Sequence, residues 1–238
     1  SLGWTHVTPL LAVGLKSRDL RKRGTDLELV CHKALVSSIG RAIPIASDLT
    51  RRAACLRSVV PKLRAKGAGD AVALFLTKDA LSPAIALADP SVGMSDRAAR
   101  RFCDRLVELA EINSGHWVLD VATGIGEPAV TAARRVGSEG RVVAIDQSPQ
   151  MLAIARERAA ELGLQNFEYR ETDAESLSLL EGTFNAVLCR WGLMFLPNMT
   201  GSLRQIWRFL IQGGYFSAAV WDVATKVPVL SLPMNVAR

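Results

Sequence analysis

The 238-residue sequence predicts an α/β fold in which a mostly parallel sheet of about five strands follows an all-helical N-terminal segment. Three observations lead there. From Trp117 onward, short apolar runs alternate with amphipathic stretches at strand–helix spacing. A glycine-rich turn, Thr123-Gly124-Ile125-Gly126, follows the first of these runs. Before that point the apolar residues recur at helical spacing, and SPAIALADPSVG (82–93), with two prolines and a glycine, reads as a linker. The expected division is a helical segment over 1–93 and a ligand-binding domain over 94–238.

In the first half, Thr25 and Asp26 can cap a helix through LELVCHKALVSSIGRAI, whose Leu29, Leu35, Val36 and Ile39 share a face. A second helix follows Ser47 and Asp48 through LTRRAACLRSVV, and Pro61 ends it. A third covers DAVALFLTKDAL. After the linker, Ser95 is placed to cap SDRAARRFCDRLVELAEI, with Phe102, Leu106, Leu109 and Ile112 inward.

In the second half, WVLDV is a buried strand and TGIGEPAVTAARRV a loop and helix. RVVAID is the second strand. SPQMLAIARERAAELG is a helix with Ser148 as N-cap and Pro149 at its first position. FEYRET and FNAVLCR are the third and fourth strands. NMTGSLRQIWRFLIQGG reads as a long helix closed by Gly213 and Gly214, and YFSAAVW as the fifth strand. In such a sheet, ligands sit at the C-terminal ends of the strands.

Composition narrows the classes. The net charge of +6 is uneven, with 18 basic against 11 acidic side chains in residues 1–115 and 11 against 12 in 116–238. Cys31, Cys55, Cys103 and Cys189 are scattered without a CxxC pair, and His6, His32 and His116 have no second ligand at zinc spacing. Reduced thiols, no metal site and a cytoplasmic location are therefore expected. No apolar run approaches the roughly 20 residues of a membrane span. The opening SLGWTHVTPLLAVGL has neither a basic lead nor a small-residue cleavage site, so no signal peptide is expected. Arg97, Arg100, Arg101 and Arg105 lie near one side of a helix, which raises a DNA-binding module as an alternative. Interleaved Asp104 and Glu108, and the lack of a second recognition helix, favour a solvated face and disfavour a nucleic-acid partner.

The loop after the first strand selects the ligand. Gly124-Ile125-Gly126-Glu127-Pro128-Ala129 fits a loose dinucleotide pattern, and Asp146 lies 20 residues past Gly126. Charge argues against a dinucleotide, whose pyrophosphate would rest against the glycines and the helix N-terminus. Asp120 ends the first strand there and Glu127 opens the helix. A ligand with an ammonium and a sulfonium but no phosphate suits them, and S-adenosylmethionine is such a ligand. Asp120 can hold its amino group, and Gly124 and Gly126 admit the backbone without a Cβ in the way. Asp146, ending the second strand, can accept both ribose hydroxyls, and Asp173, in Thr172-Asp173-Ala174, can accept from the adenine amine. Arg190-Trp191-Gly192 follows the fourth strand, where a methyl acceptor must approach.

VLDVATGIGEPA, VVAIDQSPQMLAIARERA, ETDAESL, FNAVLCRWGLMFLPN and LRQIWRFLIQGGYFSAAVW resemble successive motifs of the class I, Rossmann-like small-molecule methyltransferases, notably the subgroup with quinone-biosynthesis C-methyltransferases. The resemblance covers about residues 95–235. It implies that Asp120, Ala122, Thr123, Gly124, Gly126, Asp146, Gln147, Asp173, Ala174 and Arg190 line a cofactor site. Ala122-Thr123 stands where many members carry Gly-Cys or Gly-Ser. Residues from about 14 to 109 loosely resemble an uncharacterised bacterial family.

The implied activity is methyl transfer from S-adenosylmethionine to a small-molecule acceptor. No base is identified; His116 precedes the first strand, at the end away from the ligand. Trp191, Met194 and Phe195 are candidates either for an acceptor wall or for core packing. Sheets of this family have seven strands, and the fifth here ends near Trp221, so the last two are expected to be missing. The fifth strand is then an exposed edge open to self-association. The alternatives are an inactive truncated or fused methyltransferase-like protein, and a DNA-binding helical module with a cofactor-sensing domain.

Overall fold

The computed structural model describes residues 5–7, 10–20 and 96–221. The elements are β1 (Thr5–Val7), β2 (Leu10–Lys16), α1 (Asp96–Leu109), β3 (Trp117–Val121), α2 (Ala129–Val136) and β4 (Arg141–Asp146). They continue with α3 (Pro149–Glu161), β5 (Phe167–Glu171), β6 (Phe184–Arg190), a 3-10 turn (Gly192–Phe195), α4 (Met199–Phe209) and β7 (Leu210–Trp221). The strands form one seven-stranded sheet in the order β1-β2-β7-β6-β3-β4-β5. The run from β7 to β5 is parallel throughout, while β2 is antiparallel to β7 and β1 to β2.

The central strands are apolar on both faces because both are covered. Along β3, Val118 joins one core with Val107, Ile112, Ala132, Val136, Val142, Ala144, Ala186 and Leu188, packed under α1 and α2. Leu119 and Val121 point to the other face, into a core with Val143, Ile145, Val187, Phe216 and the α4 residues Leu203, Ile206 and Phe209. The expected α3 cap is present: the Ser148 hydroxyl accepts from the Met151 N–H at 3.3 Å, with Pro149 opening the helix. Of the expected inward residues of α1, Phe102 and Leu106 are buried, Leu109 is half-buried, and Ile112 is buried just beyond the helix end. Ser95 and the expected helices over residues 25–82 lie outside the described residues.

Three expectations are corrected. The segment before residue 93 is not all helical, because residues 5–7 and 10–16 are strands. The fifth strand of the α/β run, β7, is not an exposed edge. β2 pairs along it from Leu10↔Trp221 to Lys16↔Tyr215, so the two places expected to be empty are held by β2 and β1. The reason is physical: a buried strand with Phe216, Ala218, Ala219 and Val220 fully covered needs a partner for its backbone groups, and the apolar LLAVGLK supplies it. The edge on which self-association was expected is therefore occupied within the chain.

The third correction concerns α4, which stops at Phe209 rather than at the glycine pair. Gly213 (φ +85°) and Gly214 lie within β7, where the register against β6 shifts. A Cβ on Gly214 would meet the Asn185 carbonyl oxygen at 3.0 Å, so the pair serves an irregularity in the sheet. No described helix is long and apolar enough to cross a membrane.

Candidate functional site

The C-terminal tips of β3, β4 and β6 converge on the loop at residues 122–128. Strand alternation turns Asp120 to the face that α2 covers, and its carboxylate is completely buried. The Thr123 hydroxyl donates to Oδ2 at 2.6 Å, while Oδ1 has no hydrogen-bond partner. Burial pushes the Asp120 carboxyl up to about 7, against the Thr123 bond and the nearby Arg190 guanidinium, which favour the ionised form. Glu127 adds a second negative charge and raises it further.

Asp146 ends β4 and ties the loop to the sheet. Its Oδ2 accepts from the Gly124 N–H at 2.8 Å and its Oδ1 from the Ser148 N–H at 2.9 Å. Each oxygen keeps a lone pair for a further donor. Burial raises its pKa, and the N–H groups of Ser148, Gly124 and Gln147 oppose that shift. Gln147 is itself exposed.

The two loop glycines do different work. Gly124 (φ +57°) faces open space, since a Cβ there would find only Met151 Sδ, at 3.8 Å. Gly126 (φ +100°) is packed against α3, and its Cβ would meet Ala155 at 3.2 Å. Gly126 thus brings helix and loop together, and Arg158 of α3 donates to the Ile125 carbonyl at 3.0 Å in the same contact. Ala122 holds a positive φ of +56°, a conformation that disfavours a side chain.

On the far side of β4, Asp173 is exposed and its Oδ1 accepts from the Glu175 N–H at 2.8 Å. Ala174 is half-buried against the core. At the tip of β6, Arg190 is buried, its guanidinium 4.3 Å from the centre of the Trp191 ring and within 3.6 Å of Cys103 Sγ. Trp191 takes a left-handed conformation (φ +64°) and stacks on Phe102 of α1 with ring centres 6.3 Å apart. Phe195 is exposed. Met194 has no described side chain. His116 stands before β3, away from the strand tips, and its Nδ1 accepts from the Asn113 N–H at 3.2 Å.

Asp120, Ala122, Thr123, Gly124, Gly126 and Asp146 are thus one connected structure, joined by the Thr123–Asp120 and Gly124–Asp146 bonds. Two residues that the sequence reading placed only in a helix core and among the reduced thiols, Phe102 and Cys103, stand at this end, together with Gly192 of the β6 tip. Phe102 and Cys103 reach it from an element whose helical period reports only burial. Gly192 is fixed by shape, because a Cβ there would lie 2.6 Å from Ala122 Cβ.

The donor set fits a cation without phosphate. Asp120 offers a buried, unpartnered carboxylate oxygen beside the loop, where an ammonium could donate to it. A pyrophosphate at the same loop would meet the acidic side chains of Asp120 and Glu127.

Residues 118–214 match the family described as a methyltransferase domain, and residues 1–114 match a family described as a protein of unknown function. The chain is 35% identical over 126 residues to the ubiquinone/menaquinone biosynthesis C-methyltransferase UbiE of Hydrogenovibrio crunogenus, covering 52% of this chain and 49% of that protein. It is 37% identical over 123 residues to the aklanonic acid methyltransferase DauC of a Streptomyces species, covering 51% of this chain and 56% of that protein. Among solved structures it is similar to a SAM dependent methyltransferase from Aquifex aeolicus, at 26% identity and a TM-score of 0.43, covering 46% of this chain and 58% of that one. The chain spans about half the length of the curated relatives it matches. The part from β3 into β7 is thus similar to methyltransferase domains.

Proposed function

We propose that the chain transfers a methyl group from S-adenosylmethionine to a small-molecule acceptor. The observation that carries this reading is the buried Asp120 carboxylate, with one oxygen held by Thr123 and the other without a hydrogen-bond partner, on the strand that runs into the loop of Gly124. S-adenosylmethionine supplies an activated methyl on a sulfonium, and the protein's task is placement. Asp120 accepts from the methionyl ammonium. Asp146, fixed by two backbone N–H groups, presents its remaining lone pairs to the ribose hydroxyls. Asp173 and Ala174 flank the adenine, with Gln147 at the rim. Arg190 keeps positive charge near Asp120 and favours its ionised form.

The acceptor comes to the tip of β6, beside Trp191. Names of the similar proteins, a quinone-biosynthesis C-methyltransferase and an aklanonic acid methyltransferase, support a small organic acceptor. On the N-terminal side of the domain, α1 buries Phe102, Cys103 and Leu106 against the sheet, and its Arg105 pairs with Glu108 at 3.2 Å. That supports α1 as a wall of this fold in preference to a groove-reading helix. A cytoplasmic location remains part of the proposal.

Calorimetric titration with S-adenosylhomocysteine tests the cofactor assignment. Micromolar binding that disappears in Asp146→Ala is the expected result, and folded protein that binds nothing would overturn it. Consumption of methyl donor in the presence of quinol-like acceptors then tests turnover.

A further inference from the structure

Gly14 lies in β2 opposite Ser217 of β7. A Cβ placed on it would stand 2.4 Å from the Leu109 carbonyl oxygen and 2.9 Å from Leu109 Cβ. The last turn of α1 therefore rests directly on the backbone of β2, at a separation that only a residue without a side chain permits. The strand is in turn fixed to the sheet around this point. Leu15 and Leu20 are buried in the core with Phe216 and Val220. The Ser17 hydroxyl accepts from the Gly213 N–H at 3.2 Å, and the Lys16 ammonium lies 5.2 Å from the centre of the Tyr215 ring.

The other part of α1 touches the candidate site. Phe102 stacks on Trp191 at an interplanar angle of 26°, and Cys103 Sγ meets the Arg190 guanidinium. Phe102 and Leu106 close a small core with Ala219 of β7. One helix of 14 residues thus spans from the β2 backbone to the tip of β6. A helix is stiff over that length, so a shift where it rests on Gly14 is carried to Phe102.

We propose that the β1–β2 hairpin is a working part of the methyltransferase domain, and that Gly14 is a positioning residue for the cofactor site. Gly14 sets the depth at which α1 lies on the sheet, and α1 holds Trp191 and Arg190 in place beside Asp120. The region that matches a family of unknown function is in this way structurally continuous with the site. The effect on affinity rests on the cofactor reading above; the effect on the β6 tip does not.

The test uses the full chain with Gly14→Val and, separately, Phe102→Ala. Hydrogen exchange is followed by peptide, and S-adenosylhomocysteine binding by calorimetry. In Gly14→Val, exchange is expected to rise in residues 102–109 and 189–193 while β4 and α3 keep wild-type protection. Affinity is expected to fall about tenfold in both variants, the equivalent of one lost aromatic contact. A rise confined to β2 and β7, with residues 189–193 and the affinity unchanged, would overturn the proposal. If Gly14→Val does not fold, Phe102→Ala decides: a folded variant with wild-type exchange at 189–193 overturns it, and a local rise there upholds it. If the wild type binds no S-adenosylhomocysteine, the cofactor reading fails by itself, and the exchange at 189–193 still decides the positioning role.

Discussion

Asp120→Asn separates the charge of the buried carboxylate from its shape. Burial, which disfavours the anion, pushes this carboxyl from an ordinary value of 3.8 up to about 7 in the folded chain. From about pH 4 to 7 the folded chain holds a proton that the unfolded chain has released, so stability falls as pH rises. Above 7 the whole cost is present, about 4 kcal/mol for a shift of about 3 units. Between pH 5.5 and 8.5 the wild type should therefore lose about 2 kcal/mol that the Asn variant does not. Asp146, also shifted upward, contributes to both proteins and cancels in the comparison. For a chain of this size the difference is worth about 5 °C in melting temperature, read by calorimetry at the two pH values.

Binding should show the opposite dependence. Wild-type affinity for S-adenosylhomocysteine should rise through neutral pH, by about 30-fold from pH 5.5 to 8.5, as the carboxylate ionises to meet the ammonium. The Asn variant should bind weakly and without this dependence, having lost a charge-assisted bond worth about 2 kcal/mol. An Asn variant that melts in parallel with the wild type across this range, or that binds the ligand equally well, would refute the assignment of Asp120.

Asp146→Ala strips the partners from the N–H groups of Gly124 and Ser148, and should destabilise the fold by about 2–4 kcal/mol besides abolishing ligand binding, which denaturant titration and calorimetry can separate. Gly192→Ala drives a Cβ into Ala122 Cβ and should cost about 1–3 kcal/mol in thermal unfolding. Ala122→Gly should restore part of that loss, because it removes the Ala122 contact and relieves the positive φ but leaves Cys189 Sγ 2.9 Å from the new Cβ; a double variant no more stable than Gly192→Ala would rule this coupling out. Arg141→Ala, which removes an exposed pair with Glu168 at 2.7 Å, should change stability by less than about 1 kcal/mol in the same measurement.

What was legible in the sequence is what local pattern encodes. The runs at β3, β4 and β6 are apolar on both faces, and no neighbour is needed to read them as buried parallel strands. Ser148-Pro149 announces α3 through its own backbone bonds, and Asp120 and Asp146 are marked because an acid ends an apolar strand. The parts that escaped depend on partners far along the chain. LLAVGLK is an ordinary apolar patch until Gly14 faces Ser217, some two hundred residues away, and only then does the glycine acquire a reason in the carbonyl of Leu109. Gly213 and Gly214 follow an amphipathic run and so resemble a helix end, yet the helix yields at Phe209 because pairing with β6 already begins at Leu210. Gly126 shows the same logic at the candidate site: its motif position suggests a surface for the cofactor, while the neighbour it packs against is Ala155 of α3. A glycine at a ligand loop is thus constrained twice, by what must approach and by what must pack. On the proposed function, Gly124, with open space before it, carries the first constraint, and Gly126, packed on Ala155, carries the second.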